Sequence, residues 1–521
     1  MKRLFTIFLL VIFFSSVVSA QNGIAGIRPN HITREEMLQD ILALYNDYKD
    51  RHLKNTPSGN YYIYLRMWSG TNITHSCHAH GLGMIIFAQM ANYDPDARKI
   101  FDGMNQLRKA QPSRINSNLM SRVVFEEYIN NINPEETPAN VSNSGTGRNN
   151  SVTIGDLDMA YALLLAYRQW GDSAYKNEAT TIINALKESS ISQSSKRVRF
   201  TDGARDSLRE LDTYSSDWTP GHFRAFATIT GDDFWLETAD TVYSLLKQVS
   251  HSETGLMPSL ITGIPPRPYS PGGSFASTPF LEFSDIAAPV LWRLALDYAF
   301  HATPDAKYSI NKISNWLRGA TGGDINSIYS GYFLDGRRFH IHFQTHLSEF
   351  SDVTLVAPFA SGMIADPNNQ EFLNRAYDRI RNAGDYDSYR AAMQILNMLL
   401  ITGNWIDPVA ENQIIPTSIS NIKKSDRRHG IRFAQNIVSE KAEISVILPN
   451  NETARETKIA IYDMTGNAVF VETTAPGRPL TWNLTNTAGR FVANGTYLVI
   501  AEVKGASGKV YAYSAQLGVK K

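Results

Sequence analysis

An all-α (α/α)6 barrel of six helical hairpins, followed by a small all-β sandwich, is the architecture this sequence predicts. Three observations carry it. Apolar residues recur at helical spacing in twelve runs between residues 33 and 403. Short turns alternate with long loops between those runs, as inner and outer helices of hairpins require. After residue 405 the pattern changes to short alternating runs separated by turn signals. The chain has 521 residues, too many for one ordinary core, so two folded units are expected.

The opening, MKRLFTIFLLVIFFSSVVSAQ, combines two basic residues, an apolar run and small residues at Val18 and Ala20. It reads as a secretory signal over residues 1–20, excluded from the fold. Its apolar run is short of the roughly 20 residues a bilayer span needs, and no later stretch is longer, so no membrane span is expected.

Helices are predicted near 34–49, 79–92, 95–110, 156–170, 173–188, 218–230, 232–250, 285–303, 305–318, 351–364, 367–383 and 386–402. Asp94-Pro95, Gly171-Asp172, Gly231-Asp232 and Ala365-Asp366-Pro367 punctuate the close pairs, each with an Asp placed to cap the second helix. In a barrel of this kind the N-termini of the inner helices gather at one end. The residues just before the helices starting near 79, 156, 218 and 285 should therefore line one mouth. Residues 130–151 and 262–279, rich in Gly, Asn, Ser or Pro, read as loops.

Residues 21–405 form the expected barrel domain and 406–436, with the basic cluster KKSDRRHG, the expected linker. Over 437–521 the runs AEISVIL, KIAIYDM, AVFVETT, TYLVIAEV and KVYAYSAQLGV, separated by Pro449-Asn450, Thr465-Gly466-Asn467 and Asn494-Gly495, read as a β-sandwich.

Charge narrows the partners. Fifty Lys+Arg balance 50 Asp+Glu with no long run of one sign, which gives neither a nucleic-acid groove nor a polybasic membrane surface any support. A single cysteine excludes an intrachain disulfide, so a large core must supply stability. Nothing in the sequence calls for a cofactor.

Two stretches stand out chemically. THSCHAHGLGM (74–84) crowds His75, Cys77, His78 and His80 into six positions, the density of a metal site, since zinc takes N and S ligands. Against that, one local run rarely wraps a tetrahedral ion and no partner motif such as CxxC or HExxH follows. TIGDLDMAYALLLAYRQW (153–170) leads an acidic turn, Asp156 and Asp158, into a helix, where free N–H groups and the helix dipole stabilise carboxylates.

The second stretch resembles the signature of glycoside hydrolase family 8 through Val152, Thr153, Gly155, Asp156, Met159, Ala160, Ala166 and Trp170. GLGMIIFAQMANYDPDARKIFDGM (81–104) with NSNLM (116–120), SSDWTPGHFRAFATITGDDFW (215–235) and FLEFSDIAAPVLWRLALDYAF (280–300) resemble further segments of that family, in order, across most of residues 60–300. The resemblance implies an (α/α)6 barrel and inverting hydrolysis of β-1,4-linked polysaccharides such as cellulose, xylan or chitosan. Inversion uses a carboxylic acid at the leaving oxygen and a carboxylate that activates water, about 6.5–9.5 Å apart.

The departures fall at those positions. Aligned on GLGM, the family's acid falls on His78, its first signature Asp on Ile154, and a third family carboxylate on Ile286, with Asp285 adjacent. In members that take the base from a preceding loop, Glu282 is the matching candidate. Three replaced carboxylates at one mouth point to altered or lost hydrolysis, leaving a polysaccharide- or oligosaccharide-binding cleft. The alternatives are a hydrolase with His78 as acid and Glu282 or Asp285 as base, Asp156 and Asp217 positioning sugar hydroxyls, or a metal site at His75, Cys77, His78 and His80. Trp68, Trp218, Trp292 and Arg293 are further candidates to line the cleft, alongside His222 and Arg224. The C-terminal stretches KIAIYDMTGNAVF and TWNLTNTAGRFVANGTYLVIAEV resemble FlgD-type Ig-like modules and secretion or sorting domains of exported polysaccharide-degrading enzymes. That resemblance implies a secreted or cell-surface protein with a role for the module in export or attachment.

Overall fold

The computed structural model describes residues 24–56, 58–64, 73–125, 150–204, 209–271, 278–339, 351–384, 387–409, 422–424, 430–449, 452–463, 468–474, 478–486, 489–507 and 509–520. The expected signal and Trp68 lie outside them.

Among the described residues, twelve helices of more than two turns follow one another: α1 (Arg34–His52), α2 (Cys77–Gln89), α3 (Ala97–Ala110), α4 (Thr153–Trp170), α5 (Ser173–Ser189), α6 (Pro220–Thr230), α7 (Phe234–Val249), α8 (Pro289–His301), α9 (Pro304–Thr321), α10 (Val353–Met363), α11 (Gln370–Arg381) and α12 (Ser388–Ile401). The even-numbered helices pack on one another in a closed order, α2–α4–α6–α8–α10–α12 and back to α2. The odd-numbered helices flank them, α3 on α2, α5 on α4, α7 on α6, α9 on α8, α11 on α10, and α1 on α12. Sequence explains the two sets. The even helices are apolar nearly all round, as in α8, where Pro289 to Ala299 are all buried, whereas α3 and α11 keep one polar face in water.

Local signals fix the ends. Thr33 and Glu36 form a capping box for α1. Asp172, Asp352 and Asp387 cap α5, α10 and α12 through their carboxylates. Gly171, Gly231 and Gly322 end α4, α6 and α9 in the left-handed conformation.

At the crossing of α2 and α4, glycine is obligatory. A Cβ on Gly81 would stand 2.6 Å from the Gly155 carbonyl oxygen and 2.7 Å from Asp158 Cβ. This close approach brings the first turn of α2, which carries His78, against the first turns of α4.

After α12 the chain turns back under the ring. Trp405 is buried, and the Gln89 side chain brackets Ile406, accepting its N–H at 2.8 Å and donating to its carbonyl at 3.1 Å. The first residues of the expected linker are therefore part of the barrel.

Over its described residues the C-terminal unit has nine strands: β1 (Ile422–Lys424), β2 (Gly430–Phe433), β3 (Ile437–Val438), β4 (Ala442–Ile447), β5 (Ala454–Asp463), β6 (Ala468–Thr474), β7 (Leu480–Trp482), β8 (Gly495–Gly505) and β9 (Val510–Val519). One sheet runs β1-β9-β8-β5-β6 with β3 also on β9, the other β2-β4-β7. Their facing sides share one core around Trp482, Ile444, Ile461 and Val499. β1 and β2 lie inside the stretch 406–436 expected to be a linker, and both pair with strands of the sandwich. Neither run alternates cleanly enough to be read as a strand from sequence.

Candidate active site

The mouth is built where the N-termini of the even helices meet. His78 sits in the first turn of α2, which Ser76 caps by accepting the Ala79 N–H at 3.2 Å. The half-buried imidazole meets the Tyr389 ring, from the start of α12, edge-on at 5.5 Å. Burial pushes its pKa down to about 4, opposed by the Asp158 carboxylate and assisted by the Arg293 guanidinium. At neutral pH His78 is therefore an uncharged imidazole.

Beneath it lies a buried ionic centre. Asp158 Oδ2 accepts from Arg293 Nη2 at 2.7 Å and Oδ1 from Nη1, a bidentate pair. His222, from α6, places Nε2 3.1 Å from Asp158 Oδ1 and 3.0 Å from Arg293 Nη1. Burial would raise the Asp158 carboxyl, but Arg293 and His222 outweigh it and hold the pKa at about 2. Burial lowers His222 to about 4, so this ring is neutral, and its Nε2 either donates to the carboxylate or accepts from Arg293 according to the tautomer. Arg293 and Asp158 cancel, and the floor of the mouth carries no net charge.

Asp217 and Asp285 complete the polar groups. Asp217, in the single turn before α6, is 4% exposed and accepts one hydrogen bond, from the neighbouring Ser216 hydroxyl at 3.0 Å. Burial pushes its carboxyl up to about 7, with Asp158 adding and Arg293 opposing. Asp285, in the turn before α8, is also raised, by burial and then by the Asp352 charge. It lies within electrostatic reach of Tyr389 and Arg390. Arg390 itself bridges the caps of α10 and α12, donating to Asp352 Oδ2 at 2.6 Å and to Asp387.

Several sequence candidates are held by other contacts. Asp156 points away from the mouth: its Oδ1 accepts the Met120 N–H at 2.9 Å, and burial raises it to about 8. Two residues apart on a helix means opposite faces, so Asp158 takes the axis and Asp156 the loop 113–121. Glu282 accepts the Leu334 N–H at 2.7 Å, and Asp335 and Arg337 are its charged neighbours. Trp218 and Trp292 are core rings, fully buried; Trp218 donates to Thr213 Oγ1 at 2.9 Å. Ile154 is buried and Ile286 half-buried.

The metal alternative is corrected by divergence. Cys77 donates weakly to the Val152 carbonyl at 3.5 Å, His80 Nε2 lies 2.9 Å from the Met104 carbonyl, and His78 faces Tyr389. Each thus meets a different segment, and among the described residues no three His, Cys, Asp or Glu could share an ion. The His75 side chain is outside the described set.

Sequence reasoning passed over Tyr389, Tyr161 and Arg390. The first and last lie on α12, for which no motif was available. Tyr161 is three residues beyond Asp158, on the same helix face, a signal that could have found it.

A closed ring of helical hairpins, with His78, Asp158, Asp217, His222 and Arg293 gathered towards the N-termini of the inner helices, defines the class, a six-hairpin helical barrel, here followed by a β-sandwich. The glycosyl hydrolases family 8 model matches residues 5–323, and the chain belongs to that family. An endoglucanase of Bacillus sp. (strain KSM-330) is 31% identical over 428 residues, covering 77% of this chain and 84% of that protein. A beta-glucanase of Niallia circulans is 30% identical over 394 residues, 73% of this chain and 88% of that protein. Among solved structures, the apo beta-1,3-1,4-glucanase from Paenibacillus sp. X4 matches with TM-score 0.65 and 28% identity, over 74% of this chain and 96% of that one. Rex8A from Paenibacillus barcinonensis, at 18% identity and TM-score 0.56 over 74% and 96%, shares the fold.

Proposed function

We propose that this chain is an exported (α/α)6-barrel protein that binds a β-linked glucan or xylan chain in the mouth and no longer hydrolyses it through the family's acid position. The observation that carries the reading is His78. An inverting acid must arrive protonated at the leaving oxygen, and an imidazole with a pKa of about 4 carries no extra proton near neutrality. Apolar residues stand at the other two aligned positions, Ile154 and Ile286. A floor in which Arg293 and Asp158 cancel, with hydrogen-bonding groups around it, suits uncharged sugar hydroxyls. The names of the family relatives favour β-glucans as the ligand class. Export rests on residues 1–20, and attachment or secretion through an Ig-like module rests on the sandwich over its described residues.

Binding should be measured by calorimetry with cellohexaose, xylohexaose and mixed-linkage glucan, alongside reducing-end release from each polymer. The expected result is binding with no release above background. His78→Glu restores a carboxyl at the acid position and is the variant to assay for gained release.

A second reading is favoured by Asp217, a buried carboxyl that keeps its proton up to about pH 7. Hydrolysis would then draw its proton from Asp217 with Asp285 as base. Wild-type release that disappears in both Asp217→Asn and Asp285→Asn would establish this and refute the binding-only reading.

A further inference from the structure

We infer that Trp405, on the segment that leaves the barrel, is a positioning residue for the mouth: from the opposite end of the ring it fixes the planes of His222 and Arg293. The reading of the mouth as the glycan site is assumed for the binding arm of the test alone.

Two routes of direct contact connect them. In the first, Trp405 Nε1–H donates to the Tyr161 hydroxyl at 3.2 Å. The Tyr161 ring lies on the His222 imidazole with centroids 3.8 Å apart and planes within 6°. His222 in turn meets Asp158 at 3.1 Å. In the second, the Trp405 indole packs against Trp292 at 5.7 Å. The Arg293 guanidinium lies 3.7 Å over that Trp292 ring, and Arg293 holds Asp158 in the bidentate pair. Both routes end on the same carboxylate, whose charge acts on His78, Asp217 and Tyr389.

Stacking makes these contacts directional. A guanidinium or imidazole pressed on an aromatic face keeps its plane only while the supporting ring keeps its own. Tyr161 and Trp292 belong to different helices, α4 and α8, and Trp405 touches both. Its own position is fixed by the bonds that Gln89 makes to Ile406, and by the Asn404 N–H donating to the Leu399 carbonyl at 2.9 Å. The indole therefore acts as a wedge set by the post-barrel segment. Deleting it opens a cavity into which both supporting rings can turn.

The test uses the full chain with 13Cε1-labelled histidine, the His222 signal being assigned with His222→Asn. Trp405→Phe deletes the N–H donor and keeps a ring; Trp405→Ala removes both routes. At pH 7 the His222 resonance is expected to move in both variants, further in Trp405→Ala, while His251 in the turn after α7 stays in place. Leu317→Ala, a buried truncation in the outer helix α9, is the control: it should lower thermal stability and leave His222 unmoved, which a merely structural effect of Trp405 would also do. Affinity for cellohexaose should fall at least about tenfold in Trp405→Ala. An unmoved His222 resonance overturns the inference, and if Trp405→Ala does not fold, Trp405→Phe alone decides it. A wild type that fails to bind cellohexaose, xylohexaose or mixed-linkage glucan refutes the glycan reading, while the resonance still tests the positioning.

Discussion

Replacing Asp156 by Asn isolates the cost of one buried carboxyl. The group is completely buried, and its Oδ1 accepts the Met120 N–H, a role the Asn oxygen can keep. Its pKa moves from an ordinary 3.8 to about 8, chiefly through burial. The sign follows from linkage. Below the unfolded value both states are protonated and the folded state bears no charge penalty. As the pH climbs, the unfolded chain ionises first, so stability is lost continuously until the folded carboxyl also ionises near pH 8. At about 1.4 kcal/mol per pH unit the loss has a ceiling of about 6 kcal/mol. With the effective dielectric of about 20 that real interiors display, about 2–4 kcal/mol is the expected size. Asn cannot ionise, so Asp156→Asn should match the wild type within about 1 kcal/mol near pH 4 and then become the more stable protein as the pH rises to 8. Urea denaturation followed by helix ellipticity, which reports mainly the barrel, measures this at half-unit steps. A difference that stays flat with pH would refute the argument that Asp156 is held protonated, and one that reverses sign would show a carboxylate stabilised by the fold.

Three further outcomes follow from packing and pairing. Asp158→Asn leaves the Arg293 guanidinium buried without a counter-charge, and should cost about 3–5 kcal/mol in the same denaturation assay. Gly81→Ala drives a methyl into the Gly155 carbonyl oxygen, so the α2–α4 crossing must open; about 1–3 kcal/mol of lost stability is expected, with Gly171→Ala, whose strain is confined to an exposed helix end, costing less. The Cys77 thiol, raised well above its ordinary value by burial and neighbouring carboxylates, should resist a thiol reagent in the folded protein and react once per chain in denaturant; rapid labelling of the native state would contradict it.

Helix order was legible because each hairpin carries its own punctuation. Asp172, Gly171 and Gly231 act locally, through caps and left-handed ends, and need no tertiary partner to be recognised. The mouth was legible in part, since helix starts mark it: His78, Asp217, Asp285 and Arg293 meet there. What stayed hidden depends on direction rather than position. Asp156 and Asp158 share a turn, yet only one faces the axis. Glu282 precedes α8 by a few residues, yet a backbone N–H in the hairpin 331–339 claims its carboxylate. Trp405 reads only as the last residue of the barrel domain, because nothing local reveals that Tyr161 and Trp292 await it. Likewise β1 and β2 become strands only when β9 and β4 supply their partners.

Closure of the ring by its last helix has a consequence for how the chain is made. α12 packs on α1 and α2, the Asn374 side chain bonds to Asn30 across 344 residues, and Gln89 bonds to Ile406 across 317. The first inner helix, α2, has α4 on one side early but lacks its other inner neighbour until α12 exists. Such long loops close slowly, so a ribosome nearing residue 400 still carries an open arc with an apolar inner wall. The ring therefore becomes a closed body only after its first and last helices have found each other.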